Sequence, residues 1–120
     1  MTNRLPKHLF DALAAIRLAL EFSAGVSFEA YRSNALIRSA VERQLEILGE
    51  ACQRMVQADP GLRERLPQIG LAIGLRNRII HGYDRVEHAV VFDTLANDLP
   101  SLSGKIALLL QELDPQPPSA

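Results

Sequence analysis

Five polar side chains that could carry out chemistry lie within eight residues of one another, in the segment LRNRIIHGYDR. Their neighbours are mostly Ile, Leu and Gly, and the five are Arg76, Asn77, Arg78, His81 and Tyr83. An imidazole exchanges protons near neutral pH, and a guanidinium stabilises the charge that develops on a phosphate. This set of groups suits the cleavage of RNA by its own 2′-hydroxyl without a metal ion.

Such a cleavage needs a base and an acid, whereas this segment supplies one histidine. A symmetric homodimer would supply the second histidine. Helix geometry is an objection to a site within one chain, because Arg76 and His81 would lie about 140° apart on one helix, whereas Asn77 and His81 share a face. Pairing two copies could bring Arg76 of one chain towards His81 of the other, so we expect a composite site.

A structural interpretation of the same segment stays open. His81 directly precedes Gly82, and a cation in the last turn of a helix gains about 0.3–1 kcal/mol from the helix dipole. Arg76 and Arg78 would then simply belong to a solvated face. However, arginines are seldom placed on a nearly all-apolar helix without partners, and this favours a functional role.

The pattern upstream of the segment predicts two long helices. Pro6 suits the first turn of a helix, and an apolar stripe follows it as far as Gly25. From Ser27 to Asp59 there is no proline and no glycine except Gly49, and an apolar repeat runs from Ile37 to Met55, which predicts the longest helix of the chain. A connector with at most one helical turn is expected between Pro60 and Pro67.

The chemical segment itself ends the third main helix, which we expect over 68–81 with Gly82 as its cap. Gly70 and Gly74 share one of its faces, where another backbone could approach closely, and its apolar composition predicts a place in the middle of the protein. Helical periodicity then resumes, and Pro100 should kink or split it. The prediction is an all-α fold, an antiparallel four- to five-helix bundle, with one domain over residues 1–113 and a disordered tail at 114–120.

The amino-acid composition excludes several classes of function. The chain has 120 residues, 48% of them hydrophobic, with a net charge of −1 and a pI near 6.3, so a broad basic surface for nucleic acid is not expected. Cys52 is the only cysteine, which excludes an intrachain disulfide. No glycine-rich phosphate loop and no long apolar run is present, so we expect a cytoplasmic protein with no cofactor, no metal and no membrane span.

Other candidate residues have ordinary explanations. Glu46 and Glu50 resemble a pair of catalytic carboxylates, but ion pairs with nearby arginines are the better interpretation. Alternatively, one of the two glutamates orients Arg76. Cys52 reads as a small core residue. His8 and His88 read as exposed helix-surface residues, because no set of carboxylates or cysteines converges with them as metal ligands.

The segment RNRIIHGY resembles the Arg-x4-His-x-Tyr signature of the HEPN superfamily, in particular its HepT-like toxins. The stretch YRSNALIRSAVERQLEILGEA is similar to the second helix of that family, with Glu46, Gly49, Glu50 and Ala51 at matching places. The resemblance covers most of residues 5–113. It implies an all-helical domain that forms a homodimer, with a ribonuclease site made by the signature residues of both chains.

By this resemblance Arg76 and His81 are catalytic, and Asn77 is the supporting polar residue that often follows the arginine. Arg78 is a further candidate for a supporting role. HepT-like toxins belong to type VII-like toxin–antitoxin pairs, in which an MntA-like nucleotidyltransferase antitoxin transfers AMP to the signature tyrosine. The acceptor here would be Tyr83. The added phosphates would mask cations that an RNA phosphate needs.

A second function stays open alongside the ribonuclease. The chain could be a helical binding module whose role is to partner a minimal nucleotidyltransferase without cutting RNA. The near-neutral charge slightly favours this alternative. Replacement of His81 would matter little for such a module, whereas charge changes at Arg78 or Arg85 would weaken its complex.

Overall fold

A computed structural model describes residues 4–82 and 86–113 of the chain. The described residues form helices and contain no strand, which confirms the predicted all-α fold class. Two of the helices are short, and five longer ones make up the bundle. In chain order they are α1 Leu5–Ser23, α2 Phe28–Ser33, α3 Ala35–Ala58, α4 Leu62–Arg65, α5 Gln68–His81, α6 His88–Asn97 and α7 Leu99–Leu113.

The first helix follows the sequence pattern. Pro6 lies in the first turn of α1, where its missing N–H leaves no hydrogen bond unmade. Leu9 and Ile16 are fully buried, and α1 packs along α3. Gly25 then adopts a positive φ of 71°, a conformation that glycine reaches without strain, and the chain turns into α2.

The prediction of one continuous helix from Ser27 to Asp59 is wrong, because the chain breaks at Asn34. The Asn34 backbone is extended, and its side-chain Oδ1 accepts a hydrogen bond from the Ile37 N–H at 3.0 Å, capping α3. Ser27 caps α2 in the same way, through the Ala30 N–H at 3.1 Å. The remaining helix, α3, has 24 residues and is still the longest of the described helices.

Prolines lie at the boundaries of the later helices, as predicted. The connector after α3 contains a single short helix, α4, and α5 begins directly after Pro67 and ends at His81. Helical structure then splits between α6 and α7 beside Pro100, which occupies the first turn of α7. The Asp98 carbonyl accepts the Leu102 N–H at 3.0 Å across this junction.

The central element is α3, and not α5 as the sequence suggested. One side of α3 packs along α1 and another packs along α5, while α7 lies against α1. By contrast, α5 packs on α3 and touches α4, and one of its faces is left uncovered by the described residues. The reason for the error is that Leu71 and Ile80 supply apolar surface to α5 without being buried, with 47% and 38% of their surface exposed.

None of the described helices combines the length and the apolar character needed to cross a bilayer. The predicted division into a domain over 1–113 and a disordered tail stays a prediction. Residues 114–120 lie outside the described part of the chain.

Candidate active site

One face of α5 fixes the whole helix on α3. Ile69, Ala72, Leu75 and Ile79 recur at helical spacing and are all nearly inaccessible to solvent. Burial of these side chains determines the rotation of α5 about its axis. It therefore determines which of the polar residues at its C-terminal end point towards α3 and which point away.

The opposite face of α5 is open. Gly74, Asn77, Arg78 and His81 are exposed there, together with the apolar side chain of Leu71. A Cβ atom added to Gly74 would meet nothing within 4 Å. Three of the predicted site residues thus lie on a helix face that the described chain does not cover.

Arg76 lies apart from that face. Its side chain is half-buried against α3. The base of the side chain packs directly against Gly49 of that helix. Its Nε atom is buried and has no hydrogen-bond partner within residues 4–82 and 86–113. Its Nη1 donates to Asn77 Oδ1 at 3.1 Å, so the head of the guanidinium turns towards the open face.

The predicted offset between Arg76 and His81 is present in the fold. No hydrogen bond or ion pair joins the two residues in the described part of the chain, and they differ in burial as well as in direction. Asn77 lies between them, sharing a face with His81 and a hydrogen bond with Arg76. A single chain therefore contains the candidate site residues but does not bring them together around one point.

The end of α5 concentrates positive charge. Arg78 and His81 lie in the last turn, where cations are favoured by the helix dipole, and the Arg78 carbonyl accepts the Gly82 N–H at 2.9 Å. Gly82 is the predicted cap, although its φ of −132° is not left-handed. Tyr83, the predicted AMP acceptor, and Arg85 lie outside the described residues.

A groove separates α5 from α6 beside these residues. It consists of two adjoining hollows of about 260 and 230 Å³, both lined by Leu75, Arg78 and Val90. The first extends to Gly82 and the second to Gly74. Arg78 therefore borders both the open face of α5 and a largely apolar groove.

The two candidate carboxylates on α3 form the ion pairs that the sequence favoured. Arg43 Nη1 donates to Glu46 at 3.1 Å, and Arg54 Nη2 donates to Glu50 at 2.8 Å. Cys52 is fully buried, and burial raises the pKa of its thiol to about 12. It is a thiol at neutral pH and packs in the core, in agreement with its predicted role.

A second groove, of about 410 Å³, lies between α1 and α3 and contains several charged residues. Lys7 is paired with Asp11 at 3.0 Å, and Arg54 is paired with Glu50. Burial and the nearby charge of Lys7 lower the pKa of His8, which is half-exposed at the rim. Because its cations are neutralised by carboxylates, this groove is a weaker candidate for an anionic ligand than the end of α5.

The sequence interpretation missed a polar cluster at the start of α6. His88 was predicted to be exposed, but its Nδ1 is buried and its ring meets the ring of Tyr31 edge to face, with centroids 6.4 Å apart. Tyr31 is fully buried and also packs on Phe92 at 5.4 Å. Burial raises the pKa of nearby Glu42, an effect that His88 and Arg38 oppose. No short motif signals this convergence, which depends on how α2, α3 and α6 pack.

Within residues 4–82 and 86–113, no group of three or more His, Cys, Asp and Glu side chains is arranged to hold a metal ion. The candidate polar groups in the described part of the chain are those at the end of α5. They are one imidazole, two guanidinium groups and one amide.

Comparison with known proteins shows which family the chain belongs to. The model of the family described as "Ribonuclease HepT-like" matches residues 12–109, which is most of the chain. The chain belongs to this ribonuclease family, so the predicted HEPN-type assignment and the predicted enzyme class are confirmed. The match includes α3 and the whole of α5.

Individual relatives agree with the family match. A Thermococcus cleftensis protein named "Probable ribonuclease HepT" is 34% identical over 102 residues, which cover 85% of this chain and 92% of the relative. A Methanocaldococcus jannaschii protein named "Putative RNase" is 30% identical over 103 residues, covering 84% of this chain and 92% of the relative. A protein of Caldanaerobacter subterraneus with the same type of name is 27% identical, covering 88% and 93%. No solved structure matches the chain.

Proposed function

We propose that the chain is the toxin of a type VII-like toxin–antitoxin system, and that it cuts RNA at a composite site between two copies of itself. Arg76 stabilises the phosphorane, and His81 transfers protons. Asn77 holds the head of Arg76, and Arg78 attracts the RNA backbone. The site would act in the cytoplasm, where RNA is abundant, and needs no metal ion.

The observation that carries this proposal is the divergence of Arg76 and His81 on α5. Arg76 points to α3 and His81 points into solvent, while the face between them is open and partly apolar. A second copy packed on that face would cover Leu71 and bring a second set of the same groups to the site. Arg76 and His81, which point apart in one chain, would then meet their counterparts from the second chain.

The chemistry balances with two histidines. A neutral His81 takes the proton of the 2′-hydroxyl as that oxygen attacks the adjacent phosphorus, and the protonated His81 of the partner gives a proton to the departing 5′-oxygen. The products are a 2′,3′-cyclic phosphate and a 5′-hydroxyl. Arg76 meets the extra negative charge of the phosphorane, which is strongest at the transition state.

Inhibition follows from adding AMP to Tyr83. The phenolic oxygen attacks the α-phosphate of ATP held by a nucleotidyltransferase antitoxin, pyrophosphate leaves, and the phenolic proton passes to solvent. Tyr83 follows Gly82 directly, so the new phosphate is tethered five residues from Arg78 in sequence. Its negative charge would occupy the cations that an RNA phosphate requires.

The decisive test is RNA cleavage by the wild type and by His81→Ala. We expect the variant to lose about 10²–10⁴-fold in cleavage rate, the usual contribution of a general acid or base, while keeping its fold. The same substitution at His8, on α1, is the control and should leave cleavage unchanged. Full cleavage by His81→Ala would refute the proposal and favour the binding module.

Mixed dimers test whether the site is composite. If each active site needs His81 from both copies, the activity of randomly exchanged subunits falls with the square of the wild-type fraction as His81→Ala protein is added. If each chain works alone, the activity falls in direct proportion to that fraction. A linear decrease would reject the shared site while leaving the catalytic role of His81 intact.

A further inference from the structure

The short helix α4 places an arginine beside the first turn of α5. Arg63 lies on α4, which is anchored in the fold by the fully buried side chain of Leu62. The guanidinium of Arg63 lies over Gly70, because a Cβ atom added to that glycine would be 3.8 Å from both Nε and Nη2 of Arg63. The charge of Arg63 is therefore next to α5, although the residue belongs to another helix.

Arg63 differs from the other arginine of α4. Arg65 Nη1 lies 4.0 Å from Asp59 Oδ2, close enough for a weak ion pair. The exposed side chain of Arg63 makes no ion pair and no hydrogen bond within residues 4–82 and 86–113. Its positive charge is therefore available to an anion from outside the chain.

The Arg63 guanidinium is aligned with the candidate site. Gly70, over which it lies, is eleven residues before His81 on α5, which places the two about 20° apart in direction and about 16 Å apart along the helix axis. The sequence of α5, from Gln68 to His81, contains no aspartate and no glutamate. No negative charge of this helix therefore lies between Arg63 and the candidate site.

A hollow connects these two ends of α5. Gly70 and Arg78 both line the α5–α6 hollow of about 230 Å³, and Gly74, also in its lining, adds no side chain to it. Among the described residues that line this hollow, Arg78 alone is charged. An extended polyanion could therefore lie along α5 with one phosphate at Arg63 and another at Arg78.

We propose that Arg63 binds a phosphate of the RNA strand a few nucleotides away from the bond that is cut. The strand follows the α5–α6 hollow from the candidate site towards α4, and the second copy of the chain packs over Leu71 beside it. Each strand of B-form DNA carries one phosphate per about 3.4 Å, and an extended single strand carries fewer, so about 16 Å spans at most about five nucleotides. This inference rests on the proposed function, which places the cut phosphate beside Arg76 and His81. Arg63 is then a binding residue with no part in the chemical step.

The role of Arg63 predicts a dependence on the length of the RNA. A 2′-O-methyl oligonucleotide that contains a single ribonucleotide has one free 2′-hydroxyl, so it can be cut at one defined place. A dinucleotide of this kind reaches the candidate site alone, whereas about seven nucleotides on each side of the cut also reach Arg63, whichever way the strand runs. Arg63→Ala should lower kcat/KM about fivefold on the longer oligonucleotide, with kcat unchanged, and should leave cleavage of the dinucleotide unchanged.

Arg65→Ala is the matched control, because Arg65 lies on the same short helix but has a carboxylate nearby. It should stay within about twofold of the wild type on both substrates. Arg63→Lys, which keeps the charge, should recover part of the loss, as a purely structural role of the guanidinium would not. Equal losses on the dinucleotide and the longer oligonucleotide, or equal losses in Arg63→Ala and Arg65→Ala, would overturn the proposal.

Binding can be measured separately from cleavage. A labelled strand of about 15 nucleotides with every 2′-hydroxyl methylated cannot be cut, and its fluorescence anisotropy over a range of salt concentrations gives the Kd and the number of counterions released. Arg63→Ala should raise the Kd about fivefold and lower the salt dependence by about one counterion. If the wild type binds this strand through Arg63 but cuts no RNA, the proposed function fails and the phosphate contact stands. If the wild type cuts RNA and Arg63→Ala binds the strand equally well, the contact fails and the ribonuclease stands.

A second copy of the chain is the alternative occupant of the surface around Arg63. Sedimentation equilibrium without RNA distinguishes the two, because an arginine that binds RNA should leave the dissociation constant of the dimer within about twofold of the wild type when it is replaced by alanine. A dimer weakened more than about tenfold in Arg63→Ala, with RNA affinity unchanged at protein concentrations where the variant is dimeric, would assign Arg63 to the protein interface and overturn the proposal.

Discussion

The two neighbouring helices α3 and α5 hold their arginines in opposite ways. On α3, Arg43 and Arg54 each donate to a glutamate of the same helix, at 3.1 and 2.8 Å. On α5, neither Arg76 nor Arg78 has a carboxylate partner within residues 4–82 and 86–113. The polar partner of the Arg76 head is an uncharged amide, that of Asn77.

This difference distinguishes the solvated surface of α3 from the candidate site at the end of α5. Paired charges in solvent contribute little to stability and cancel each other's field, so the exposed side of α3 has no special affinity for anions. Two guanidinium groups without carboxylates, placed beside a histidine at the end of α5, leave positive charge available for an anionic ligand. The net charge of −1 shows that this attraction is local rather than a property of the whole chain.

Among the changes that test this comparison of α3 with α5, the largest effect is expected from Arg76→Ala. Loss of the charge that we propose to stabilise the transition state should reduce kcat by about 10²–10³-fold. Arg43→Ala removes an arginine that is already paired and should change kcat by less than about twofold. RNA cleavage assays on both variants, with circular dichroism to check folding, make the comparison. Similar losses of kcat in the two variants would show that the ion pairing of an arginine does not distinguish the roles of α3 and α5.

The next largest effect concerns the open face of α5. Leu71→Asp would place a charge where the second copy is proposed to pack, and should raise the dissociation constant of the dimer more than about tenfold. Leu108→Asp is the control, since Leu108 is also exposed but lies on α7. Sedimentation equilibrium measures both variants. An unchanged dimer in Leu71→Asp would move the interface to another surface.

Parts of the fold that depend on local signals could be predicted from the sequence. Pro67 and Gly82 bound α5, and Pro100 marks the split before α7, because proline and glycine act on their own backbone. The break at Asn34 carries no such signal. An asparagine is tolerated inside a helix, and its capping role is visible only once its side chain is seen to bond the Ile37 N–H.

Features that depend on packing could not be predicted in the same way. The apolar character of α5 indicated burial, but it could not show that part of this surface is left open by the chain's own helices. The close helix approach was placed at Gly70 and Gly74, whereas the structure places it at Gly49. An interior helical glycine costs about 1 kcal/mol relative to alanine, so Gly49 was itself a signal that α3 needs space there.

A smaller effect is expected from Arg78→Ala. If Arg78 contacts an RNA phosphate, its loss should raise KM about fivefold with kcat nearly unchanged, and should reduce the salt dependence of binding by about one counterion. Arg43→Ala should alter neither value. Fluorescence anisotropy of a labelled RNA over a range of salt concentrations measures the slope. An identical slope in wild type and Arg78→Ala would remove Arg78 from the RNA contact.

The smallest effect is expected at a place where an unpaired polar group is buried instead of exposed. The hydroxyl of Tyr31 is buried without a hydrogen-bond partner in the described part of the chain, and this burial has a cost in free energy. Tyr31→Phe removes the hydroxyl and keeps the ring against Phe92, so the free energy of unfolding should stay constant or rise by up to about 1 kcal/mol. Phe92→Leu, which removes the ring contact, should lower it.

Urea denaturation of the two variants separates the hydroxyl from the ring. A loss of more than about 1 kcal/mol in Tyr31→Phe would show that a water molecule or another group satisfies the hydroxyl in solution. A neutral or stabilising result, together with unchanged RNA cleavage, would place Tyr31 and His88 in the packing of α2 on α6. The buried hydroxyl of Tyr31 would then differ from the guanidinium head of Arg76, which reaches the open face of α5 although its Nε is buried.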